Sequence, residues 1–209
     1  VATYSYDANG NRLTEDGTTV LASYDAQDRL TSFGPMTYEH DALGNRTKKV
    51  AGGVVTTYEH AVGIRGGPLS KVSTQGKTIV YDTDAMGRRV RRSENGVGTH
   101  GYLYGSSVGP TALLDPQGKI IYRFVYATGR ATPEAAIDAS GASYALLTDQ
   151  VGSLRIVVRA PDGVIVQRMR HDPWGRIEED YVLPGFEPMP FGFAGGIFDR
   201  DTALIHFGA

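Results

Sequence analysis

The stretch YSYDANGNRL, Tyr4 to Leu13, places two tyrosines two residues apart, then an aspartate, and a glycine three residues after that aspartate. On a strand, Tyr4 and Tyr6 point to the same face. Asp7 follows where a short carboxylate can accept hydrogen bonds from backbone N–H groups just ahead of it. Gly10 supplies the positive φ that closes a type I turn with a bulge. Asn11, Arg12 and Leu13 then open a return strand. The stretch reads as a β-hairpin, and it recurs. YDAQDRL (Tyr24 to Leu30), YEHDALGNR (Tyr38 to Arg46) and VYDTDAMGRR (Val80 to Arg89) repeat it, and looser Asp-x-x-Gly units start at Asp115, Asp138, Asp149 and Asp172. The first intervals are 18 and 16 residues, a length that suits two strands of about 5–6 residues and two turns. The repeat-bearing residues are Tyr6, Asp7, Gly10 and Arg12; Asp25 and Arg29; Asp41, Gly44 and Arg46; Asp84, Gly87 and Arg88; Asp149 and Gly152; and Asp172 and Gly175. They are read as structural. One hairpin is marginal in water, so hairpins of this kind must stack to bury their tyrosine face.

The composition agrees with an all-β chain. Of 209 residues, 27 are glycine and 12 tyrosine, which supplies turns and aromatic strand positions together. The net charge of −2 gives no bulk attraction to nucleic acid or anionic lipid. The chain has no cysteine, which excludes disulfides, cysteine zinc sites and cysteine nucleophiles. It has no run of about 18 apolar residues, so no membrane span is expected, and no signal peptide is visible.

Further strands are expected in Gly76–Asp82, Gly118–Ala127 and Ser143–Asp149, and a hairpin in Leu154–Asp172 around Pro161-Asp162-Gly163. One helix is expected in ATPEAAIDASG (Ala131 to Gly141), with Thr132 as N-cap and Pro133 in the first turn. Val182–Gly196, with three prolines and four glycines, reads as a packed, extended crossing between sheet regions.

The Tyr-Asp-x-x-Gly-Asn-Arg units resemble those of the Rhs/YD-repeat proteins. Three longer segments resemble the Rhs-repeat-associated core region: Leu103–Glu134, Leu146–Val158 and PFGFAGGIFDRDTALIHFGA at Pro190–Ala209. The similarity spans essentially the whole chain. It divides the chain into degenerate YD hairpins at 1–96 and a core region at 97–209, truncated before its end and continuous with the hairpins. Departures are Gln150 where histidine is usual, Ala203 where glycine is usual, and Asp28 in place of the second repeat's glycine. The resemblance implies a sheet that spirals into a hollow shell, enclosing a C-terminal toxin or effector for bacterial secretion and delivery. It also implies that this chain is a piece of a longer one. Its partners would then be the rest of its own chain and that cargo, with possible self-association through exposed strand edges.

No catalytic, cofactor or metal residue is assigned. Family members cut themselves with paired aspartates beyond the core, and such chemistry needs two carboxylates that share a proton. Asp172, Asp199 and Asp201 are the nearest candidates and are read as turn formers. His40, His60, His100, His171 and His206 lack metal-ligand spacing. GRRVRR (Gly87 to Arg92) is the one dense basic cluster. On a strand its arginines alternate faces, which argues against a nucleic-acid stripe. If Arg91 and Arg92 line a cavity, they could hold an acidic cargo. GIRGGP (Gly63 to Pro68) and YGSSVGP (Tyr104 to Pro110) lack a phosphate loop's strand–helix context, and Ser106, Ser107 and Ser153 lack a base. The NRT at Asn45 overlaps the repeat and is read as coincidence, not a glycosylation site. The competing reading is an adhesion or carbohydrate-binding module. Tyrosine exposure separates the two, because adhesion requires an exposed aromatic cluster.

Overall fold

The computed structural model describes residues 3–62, 67–105 and 109–208, so most of GIRGGP and the serines at 106 and 107 lie outside the described residues. The fold is all-β, and in it hydrogen-bonded strands are neighbours in sequence. Two compact units are present: residues 1–81 with 94–96, and residues 82–93 with 97–209.

The first unit carries β1 (Ala22–Tyr24), β2 (Leu30–Phe33), β3 (Met36–His40), β4 (Arg46–Ala51), β5 (Val54–His60), β6 (Leu69–Thr74) and most of β7 (Lys77–Thr83). Its strands are antiparallel, and two kinds of turn alternate along them. At one edge, Phe33 pairs with Met36, Ala51 with Val54 and Thr74 with Lys77, so each turn has two central residues. Gly52, Gly53, Gln75 and Gly76 all have positive φ, as a turn that matches strand twist demands. At the other edge, the register slips by one residue just before Asp25 and just before Asp41, and the Asp-x-x-Gly units close the turns. Val72, Ile79 and Tyr81 are buried in this unit, and Tyr58 is nearly so.

The second unit carries most of β8 (Arg89–Glu94), β9 (Val97–Leu103), β10 (Ala112–Leu114), β11 (Ile120–Val125), β12 (Ala135–Asp138), β13 (Ser143–Thr148), β14 (Leu154–Arg159), β15 (Ile165–His171), β16 (Ile177–Val182) and a separate hairpin, β17 (Ile197–Asp199) and β18 (Leu204–His206). The expected helix at Ala131–Gly141 is replaced by β12. Ala135–Asp138 pairs with Val125–Tyr122 on one side, and Ala135–Ile137 pairs with Ala145–Ser143 on the other. Sheet pairing on both sides outweighs a weak local helix preference. Thr132 caps nothing; its hydroxyl donates to the Gly152 carbonyl at 2.6 Å.

One face of β9–β15 is apolar, and the crossing segment 182–196 covers it. Tyr122, Phe124, Leu146, Leu154, Val157 and Met169 pack against Met189, Phe191, Ile197 and Phe198 in one core. From Leu183 to Gly196 the segment contains no strand; its one regular element is a short 3-10 turn at Phe193–Gly195. Its backbone polar groups must therefore find partners in the sheet. The buried Gln167 side chain accepts from Met189 N at 2.8 Å, Ser153 Oγ accepts from Ala194 N at 3.0 Å, and Tyr122 donates to the Glu187 carbonyl at 2.8 Å.

Candidate functional site

The turn edge is one device built eight times. In the units of Asp7, Asp25, Asp41, Asp84, Asp115, Asp138, Asp149 and Asp172, Oδ1 accepts backbone N–H groups two and four residues ahead. The residue three ahead donates its N–H to the aspartate carbonyl in all eight. Seven of those residues are glycines with φ from +77° to +90°, and the eighth is Asp28 at +60°. Asp28 brings its own compensation: its Oδ1 accepts from Asn9 Nδ2 at 2.8 Å and Asn11 Nδ2 at 2.7 Å, tying the first turn to the second.

The second carboxylate oxygen takes the side chain four residues on, as in Asn11 to Asp7, Arg29 to Asp25, Asn45 to Asp41 and Arg88 to Asp84. Those side-chain bonds, together with the turn amides, hold the Asp7, Asp41 and Asp84 carboxyls below the usual range. Asn45, the sequon asparagine, thus has its amide nitrogen engaged. Asp41→Ala removes both amide acceptors, whereas Asp41→Asn can keep one oxygen in place. The alanine variant is expected to melt lower and to speed exchange at the Leu43 and Asn45 amides, with the asparagine variant between it and the parent. Equal melting and exchange for all three proteins would remove this role from the carboxylate.

The residue just before a turn reaches back to the preceding unit. Tyr24 donates to the carbonyl of Arg12 at 2.9 Å, His60 Nε2 lies 3.1 Å from the carbonyl of Arg46, and Tyr104 donates to the carbonyl of Arg89 at 2.9 Å. Arg12, Arg46 and Arg89 each stand five residues after their own turn aspartate. Arg29 adds a forward link to the Asp41 carbonyl at 2.9 Å. Arginines also lie over aromatic rings: Arg46 is 4.6 Å from the Tyr58 centroid, Arg12 5.1 Å from Phe33 and Arg88 4.7 Å from Tyr104. The aspartate and glycine of the opening stretch thus close its turn, and its Arg12 carbonyl is where the next unit's Tyr24 fastens sideways.

The second unit also holds a half-open cleft of about 190 Å³, lined by Arg92, His100, Tyr102, Glu187, Asp199 and Asp201 among others. Arg92 of β8 donates Nε to Asp199 Oδ2 at 2.8 Å, Nη1 to Thr99 Oγ1 at 3.0 Å, and Nη2 to the Asp201 carboxylate. Asp199 Oδ1 also accepts from the amides of Asp201 and Thr202, at 3.0 and 3.3 Å. His100 Nε2 sits 3.0 Å from Glu187 Oε1, and burial pushes the Tyr102 hydroxyl up to about 12. Simple alternation along GRRVRR fails here. Arg89 and Arg92 are both buried while Arg91 is exposed, because Arg92 meets two carboxylates. Its guanidinium is thereby engaged within the chain.

Asp199 and Asp201 are turn and ion-pair groups: the Arg92 guanidinium lies between the two carboxylates, and Asp199 accepts the amides of Asp201 and Thr202. The Arg92–Asp199 pair spans 107 residues, a separation for which the sequence carries no local signal. Among the described residues no group of three or more His, Asp or Glu side chains is placed to hold a metal, and no helix is long and apolar enough to cross a membrane.

A family model described as Teneurin YD-shell matches residues 1–209. Teneurin-1 of Mus musculus is 30% identical over 213 residues, covering 98% of this chain and 7% of that protein. Teneurin-1 of Gallus gallus is 29% identical over 225 residues, covering 98% and 8%. The tRNA3(Ser)-specific nuclease WapA of Bacillus spizizenii is 24% identical, covering 99% and 9%. The chain thus spans less than a tenth of each of these relatives. Among solved structures, the crystal structure of TcdB2-TccC3 aligns with a TM-score of 0.45 at 12% identity, over 84% of this chain and 13% of that one.

Proposed function

The chain belongs to the teneurin YD-shell family, and on that premise we propose that it is a wall segment of a larger β-shell that encloses a toxin or effector portion of its own polypeptide. The observation that carries this reading is where the tyrosines lie. Tyr58, Tyr81, Tyr102, Tyr122 and Tyr144 are each at most 7% exposed, so the aromatic faces are spent on packing one hairpin against the next. An adhesion module would need them gathered at the surface, and only single rings stand out, such as Tyr6 and Tyr181. The wall works by exclusion: a continuous hydrogen-bonded sheet keeps proteases out and cargo in. We assign no catalysis to these residues.

The test is intact mass and protease resistance of the parent protein expressed from its full reading frame. A C-terminal piece that stays with the shell and survives added protease is the expected result. A tail that is digested freely would end the containment reading and favour the adhesion one.

A further inference from the structure

We propose that the β17–β18 hairpin is an acid-released latch, with His206 as its trigger. His206 ends β18, opposite Ile197 of β17. Its Nε2 is shielded from solvent and has no hydrogen-bond partner among the described residues. The ring borders a small cavity of about 50 Å³ that is also lined by Arg88, Tyr104, Pro110 and Gly196. The charged groups facing it are cationic. Arg89 of β8 is the charge that acts on it, and Arg88 lines the same cavity with its own guanidinium bound to Asp84. Tyr104 contributes a hydroxyl already donated to the Arg89 carbonyl. The facing residues of β17 and of the crossing segment, Ala194 to Ile197, are uncharged, and no carboxylate lines the cavity among the described residues. A protonated imidazole here would place a second charge beside Arg89, in a cavity with no carboxylate among its described lining residues.

Burial first, and Arg89 second, lower the His206 pKa from 6.5 to about 4 in the closed form. In an opened hairpin the ring returns to the ordinary value. Above pH 6.5 the ring is neutral in both forms and closure is unaffected. As pH falls from 6.5 towards 4, the open form binds a proton that the closed form refuses, and the equilibrium moves towards opening. Below 4 both forms are protonated and the bias stops growing. Allowing for the partial exposure of His206, the closed-to-open ratio should fall roughly 10- to 100-fold across that window. The turn carboxylates at Asp7, Asp41 and Asp84 are held below the usual range by their side-chain and turn-amide hydrogen bonds, so they take up protons at lower pH than an ordinary aspartate. The sheet is therefore expected to hold while the hairpin lets go.

Hydrogen exchange on the full-length parent protein at pH 7, 5 and 4, each corrected against an unfolded reference, tests this. Peptides covering residues 197–208 should lose 10- to 100-fold of their protection between pH 6.5 and 4, while peptides at the Asp41 and Asp84 turns keep theirs. His206→Phe should abolish that step, and His206→Gln is the second variant should the ring of phenylalanine not be accommodated. His206→Lys should open the hairpin at pH 7. Protection of 197–208 that persists to pH 4, a loss that is uniform over the molecule, or an acid step retained in both neutral variants overturns the proposal.

Discussion

Arg92→Ala is expected to destabilise the protein by about 3–5 kcal/mol, because it leaves a buried carboxylate without its partner. Asp199 is 4% exposed and Arg92 only 7%, so water cannot replace the lost guanidinium. Asp199→Asn should cost less. The amide oxygen can still accept from Asp201 and Thr202, and Asp201 still balances the charge on Arg92. Arg92→Lys should fall between the two, since an ammonium cannot reach Asp199, Asp201 and Thr99 with the same planar fork. Urea denaturation monitored by circular dichroism gives the three values. A loss under 1 kcal/mol for Arg92→Ala would mean that the pair is solvated and does not hold β17 to β8.

Phe191→Ala carries a cost of similar size for a different reason. The ring is fully buried and meets Phe124 edge-on, with centroids 4.9 Å apart. Removing a buried aromatic side chain forfeits its transfer free energy and leaves a cavity, typically about 3–5 kcal/mol in total. The loss should concentrate on the crossing segment, whose strandless backbone depends on apolar contact and on a few bonds from Gln167, Ser153 and Tyr122. Faster exchange at residues 186–198, beside a fall in the denaturation midpoint, is the expected pair of results. An unchanged midpoint would show that the sheet's inner face does not rely on this cover.

The all-β class was legible because its signal is local. Tyrosines two apart, a short carboxylate and a glycine at a fixed offset describe a turn within a few residues. What escaped was decided elsewhere in the chain. Ala131–Gly141 has a helix's capping residue and first-turn proline, but two flanking strands claim its backbone. Arg92 and Asp199 meet only because the crossing segment returns over the sheet. The use of Tyr24 and Tyr104 as donors to the preceding unit also depends on which hairpin lies alongside. The turn at Gly52-Gly53 carries a local signal too, since a glycine pair between two β-branched runs marks a hairpin.

The strand order has a consequence for how the chain folds. Because strands that pair are neighbours in sequence, most closure steps join short loops, and such loops are entropically cheap and close quickly. Hairpins can therefore form one after another as the polypeptide emerges, each templated by the last. The step that must wait is the return of residues 183–206, which joins Asp199 to Arg92 across 107 residues. Assembly should accordingly show two phases, a fast zippering of the sheet and a slower final closure.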